Sequence, residues 1–77
     1  MQFNFELTDT FGGEANYSWV KRSTIEAPDT VSDLALVRRA KKFAGFTGLR
    51  CRVDRLGDTI AIYPAGLCQV CFIFTSY

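Results

Sequence analysis

The chain has 77 residues, a net charge of +1, 48% hydrophobic and 22% charged residues. That is room for one domain, with too many apolar residues for a disordered chain. No apolar run approaches the roughly 20 residues of a membrane-spanning helix, and histidine is absent. Loss of histidine removes the commonest general base, nucleophile activator and metal ligand at once.

In chain order, "QFNFELT" alternates strictly, with Phe3, Phe5 and Leu7 on one side and Gln2, Asn4, Glu6 and Thr8 on the other. This predicts a half-buried strand. "DTFGGEA" supplies turn residues, since Gly12 and Gly13 take positive φ without steric cost. "NYSWVKRSTIEA" is rich in aromatic and β-branched residues and predicts a second strand, paired with the first as an antiparallel hairpin. Pro28 ends it.

A helix is expected from Val31 to Ala44. Thr30 would be its N-cap, with Asp33 completing a capping box and Gly45 stopping it. At about 100° per residue, Leu34, Leu36, Val37, Ala40, Phe43 and Ala44 share one half of the wheel. Arg38, Arg39, Lys41 and Lys42 occupy the other. Acids at the start and bases near the end suit the helix dipole.

"LRCRVDR" and "TIAIYP" alternate and flank "LGD", which predicts another hairpin. A loop of Leu56 and Gly57 would pair Val53 with Ile60, Cys51 with Ile62, Arg52 with Ala61 and Arg50 with Tyr63. "LCQVCFIFTSY" is almost wholly apolar, as expected of a strand covered on both faces, central in the sheet or in a subunit interface. The expected fold class is α+β. A single domain of residues 1–77 carries one antiparallel sheet of about five strands and one amphipathic helix, in the order β-β-α-β-β-β.

Residues 1–33 hold six acids against Lys21 and Arg22, and residues 34–77 hold seven bases against Asp54 and Asp58. Because such folds mix the two halves of the chain, the charges are expected to interleave. The N-terminus has no basic start and no continuous apolar segment, which argues against a signal peptide and for the cytoplasm. In that compartment the odd set Cys51, Cys68 and Cys71 is expected to stay as free thiols.

"CQVC" is a weak redox or metal motif. It falls in a predicted strand, where residues three apart face opposite ways, and zinc requires about four ligands. "FGGEAN" lacks the Lys-Ser/Thr and following helix of a phosphate loop. No cofactor, metal or catalytic constellation is expected, and the chain reads as a non-enzyme. "YSWVKR" is the best protein-contact candidate, because Trp, Tyr and Arg are enriched at binding hot spots. Tyr17, Trp19, Lys21 and Arg22 form the first candidate set, with Tyr17, Trp19 and Lys21 expected on one strand face. Arg50, Arg52 and Tyr63 form the second. Arg38, Arg39, Lys41 and Lys42 are a weaker nucleic-acid candidate, since a sequence pI near 7.7 is low for a dedicated binder.

"LTDTFGGEANYSWVKR", followed by "AGFTGLRCRVDRLGDTIAIYPAGLCQVCFIF", resembles a set of small proteins encoded by tailed bacteriophages and prophages, over most of the chain. The resemblance brings no activity with it and transfers no site residues. It implies a bacterial host cytoplasm and, by analogy of size, a protein that occupies a host protein or complex, as anti-CRISPR and other anti-defence inhibitors do. The readings carried forward are a host-protein binder, monomeric or homodimeric; a nucleic-acid binder using the basic helix; and an assembly protein whose last strand, residues 67–75, adds to another chain.

Overall fold

The structure, a computed structural model, describes residues 1–75. Two strands, β1 (Gln2–Asp9) and β2 (Val20–Glu26), precede the helix α1 (Asp33–Ala44). Three more follow, β3 (Cys51–Leu56), β4 (Thr59–Pro64) and β5 (Gln69–Thr75). They form one antiparallel sheet in the order β2-β1-β5-β4-β3. This is the expected α+β class and element order. The apolar run at the end of the sequence becomes β5, a central strand between β1 and β4. Ser76 and Tyr77, the end of that run, lie outside the described residues.

Alternation in β1 dictates which face is buried. Phe3, Phe5 and Leu7 meet Ile60 and Ile62 of β4 and Cys71 and Ile73 of β5, and α1 closes this layer with Leu36 and Ala40. Val37, Phe43 and Ala44 pack at its margin. Leu34, assigned to the same half of the wheel, instead stands 69% exposed in the first turn. Phe46 follows the helix and is fully buried. Its amide reaches Lys41 O at 2.8 Å while that of Gly45 reaches Lys42 O at 3.4 Å. With Gly45 at φ 78°, this is a Schellman ending, which drives Phe46 back into the core.

Three local expectations are corrected. The N-cap is Ser32, not Thr30, and its hydroxyl accepts the Ala35 amide at 3.1 Å. The helix accordingly begins at Asp33 rather than Val31. The β3–β4 loop is Gly57-Asp58, because Leu56 pairs with Thr59. A two-residue hairpin with positive φ at its first position alone is of the II′ kind and places glycine first; Gly57 has φ 61°. The register therefore moves to Val53–Ile62, Cys51–Pro64, Arg52–Tyr63 and Asp54–Ala61. A shift of this parity leaves every side chain on its expected face. Finally, β2 begins at Val20, not Asn16, with consequences for the site.

Candidate functional site

Between β1 and β2 the chain makes an ordered loop rather than a strand. Thr10 O accepts the Gly13 amide at 2.9 Å. Gly12 at φ 87° then sits where a type II turn demands positive φ, with Phe11 before it. From there the loop is held by two polar side chains at the end of β1. Thr8 and Asp9 are both 0% exposed. The Thr8 hydroxyl accepts the Tyr17 amide at 3.1 Å and donates to Trp19 O at 2.9 Å. The Asp9 carboxylate accepts the Ser18 amide at 3.0 Å and the Asn16 side-chain amide at 3.2 Å. Asn16 also donates its backbone amide to Asp9 O at 3.0 Å.

These bonds replace the strand ladder that the Tyr-Ser-Trp-Val alternation suggested. Tyr17 takes φ 54°, a left-handed conformation that few bulky residues adopt and that a surrounding structure must enforce. Burial alone would raise the Asp9 carboxyl, but the hydrogen bonds from Ser18 and Asn16 outweigh it and lower it to about 2. Burial also raises the Tyr17 phenol, and its hydrogen bond to the Glu6 carboxylate adds to that effect.

The outcome is an apolar end of the molecule held in place by polar anchors. Phe11 is 63% exposed and Trp19 is 40% exposed, and Tyr17 and Val20 are exposed as well. Thr10 N donates to Cys68 O at 2.9 Å. That bond ties the loop to the β4–β5 turn, which carries exposed Leu67. Phe11 and Leu67 were not singled out from the sequence. Their one visible signal is a large apolar residue placed within a glycine-containing turn, where no core face can receive it.

The first candidate set is divided by the fold. Tyr17 and Trp19 lie in the loop. Lys21, opposite Leu7, is on the helix side with its ammonium 5.3 Å from the Phe43 ring centroid. Arg22, opposite Glu6, is on the other side and pairs with that carboxylate at 3.1 Å. The second set is drawn together more closely. Arg52 lies over the Tyr63 ring at 4.5 Å and pairs with Asp54 at 3.3 Å. Arg50 joins them around a shallow cleft of about 460 Å³.

On the helix, Arg38, Arg39 and Lys42 are exposed. Lys41 is half-buried and donates its ammonium to Leu49 O at 3.2 Å. The basic quartet is thus a trio, with the fourth amine bracing the segment after the helix. Arg55 pairs with Asp33 across the two halves of the chain, while Arg22–Glu6 and Arg52–Asp54 pair within a half.

In "CQVC", Cys68 is exposed and Cys71 is buried beneath α1. Burial pushes the Cys71 thiol up to about 12. Among the described residues no group of three or more His, Cys, Asp or Glu side chains is arranged to hold a metal. No described helix is long and apolar enough to cross a membrane. A cleft of about 300 Å³ opens near the helix start, over Phe3, Leu36, Ile60 and Ile73 with Asp33 and Arg55 at its rim. No family model, curated protein or solved structure matches this chain.

Proposed function

We propose that this is a non-enzymatic protein-binding domain whose contact surface is the anchored loop end: Phe11, Tyr17, Trp19 and Leu67. The observation that carries this is the pairing of exposed aromatics with a backbone fixed from within by Thr8 and Asp9. Large exposed side chains ordinarily cost entropy when they bind. A loop whose backbone is already held avoids the further cost of ordering the chain, and aromatic anchors of this kind dominate binding energy. The resemblance to tailed-phage proteins directs the reading to a host protein or complex in the bacterial cytoplasm, with steric blocking, of the anti-CRISPR or anti-defence type, as the mode of action.

The nucleic-acid reading is weaker on two counts. Lys41 is engaged with Leu49 O, and the loop aromatics stand on a different element from the basic helix.

The test is affinity capture from bacterial lysate with and without nuclease, using the wild-type chain and a Phe11→Ala/Trp19→Ala double variant. A stoichiometric protein retained after nuclease by the wild type, and lost by the double variant, supports the proposal. Capture that disappears with nuclease, or that the double variant retains, overturns it.

A further inference from the structure

The sheet face turned away from α1 has a pattern that the loop does not explain. One row of side chains crosses all five strands on this face. Arg22 of β2 is opposite Glu6 of β1, Glu6 is opposite Phe72 of β5, Phe72 is opposite Ala61 of β4, and Ala61 is opposite Asp54 of β3. The row therefore reads base, acid, aromatic, small, acid. Phe72 is half-buried at its centre, as are Phe74 on the same strand and Tyr63 beside it.

We infer that this face is the interface of a homodimer, with the two-fold axis lying between two copies and running along β5. That operation sets β5 against β5, β1 against β4 and β2 against β3. The central row then meets its own reverse. Arg22 of each copy, paired with Glu6 in its own chain, faces Asp54 of the other, which is paired there with Arg52; Glu6 faces the short, buried Ala61 side chain, and Phe72 meets Phe72 on the axis. An isologous interface requires such self-complementarity. A row with like charges at both ends would oppose it, because like charges set face to face are costly.

Strands about 4.8 Å apart and about 3.3 Å per residue give the face a footprint of roughly 500 Å². Thr8, Ala61 and Val70 within it are already 0% exposed, so two copies bury less than about 1,000 Å² together, in the range of weak complexes, and the dimer is concentration-dependent. Phe11 and Trp19 lie on the loop at the end of the sheet, and the inference stands independently of the role proposed for them; Tyr17, bonded to Glu6, borders both surfaces.

Sedimentation equilibrium over a wide concentration range tests it, with circular dichroism to confirm folding. The wild type is expected to pass from monomer to dimer. Arg22→Asp sets two acids opposite each other and Asp54→Arg sets two bases opposite each other. Each variant alone is expected to weaken self-association at least about tenfold. An equimolar mixture of the two restores both opposite-charge contacts and is expected to dimerise like the wild type. A wild type that stays monomeric throughout overturns the inference. So do single variants that dimerise unchanged, and a mixture that stays monomeric.

Discussion

The Asp9 carboxylate, wholly buried at the end of β1, accepts the amide of Ser18 nine positions later at 3.0 Å. With the Thr8 hydroxyl's bonds to Tyr17 and Trp19, it fixes where the hairpin stops being a sheet. Beyond it the chain departs from strand geometry, and the aromatics turn outward. Replacing Asp9 with Asn keeps the size but loses the charge that strengthens these hydrogen bonds. The expected outcome is amide exchange at Ser18 at least about tenfold faster, with exchange at Phe5 and Ile73 unchanged. Unaltered Ser18 exchange would show that the loop holds itself.

The same carboxylate sets a pH limit on the loop. Its pKa in the folded chain is lowered to about 2 from an ordinary 3.8, so its contribution is complete above the ordinary value. It is lost as pH falls from there toward 2. Trp19, the one tryptophan, donates no bond to Asp9 but rides on the loop it holds. Its fluorescence should stay constant from neutral pH to about 4 and shift only below that. A shift centred near pH 6 would contradict the assignment.

The helix start distinguishes two neighbouring hydroxyls. Ser32→Ala should cost about 1 kcal/mol in denaturant unfolding, whereas Thr30→Ala should have little effect. The reverse ranking would place the cap at Thr30.

Phe46 closes the core from the segment after the helix and is fully buried. Truncation to Ala should cost about 3–5 kcal/mol, a large part of what a domain this small has. Chemical denaturation should show a lowered midpoint with little cooperativity left. A loss below about 1 kcal/mol would mean that the site is not packed as described.

Thiol labelling gives a further check. Cys68 is exposed, Cys51 is half-buried and Cys71 is buried with its thiol raised to about 12. Native protein should react first at Cys68 and at Cys71 only on unfolding, because the thiolate is the reactive form. Fast native labelling at Cys71 would contradict its place under α1.

Much of this fold was legible in the residues. Alternation in Phe3, Phe5 and Leu7 states the core face of β1, and the wholly apolar run at residues 70–74 states a central strand. Gly45 states where the helix ends. Two of the departures share a cause, which is that short polar side chains compete locally with regular structure. Ser32 outcompetes Thr30 as cap. Thr8 and Asp9 capture the amides of Tyr17 and Ser18, and so override a strand pattern that Tyr17, Trp19 and Lys21 otherwise satisfy. In β3–β4, the requirement of a II′ turn for glycine in first place moves each residue's partner by two residues without changing faces. The candidate site was only half visible, since Tyr17 and Trp19 are conspicuous by type. Phe11 and Leu67 become part of it only through the bond between Thr10 and Cys68, a contact between distant segments that no local pattern encodes.

The central claim is that an anchored aromatic loop binds a protein, and the most direct measurement is a titration of the captured partner against three chains. Wild type is compared with Trp19→Ala, which removes an anchor, and Asp9→Asn, which keeps every aromatic but loosens the loop. Trp19→Ala is expected to weaken binding by about thirtyfold, and Asp9→Asn is expected to weaken it by a smaller factor. Unchanged affinity in Trp19→Ala would contradict the claim and move the contact surface elsewhere on the molecule.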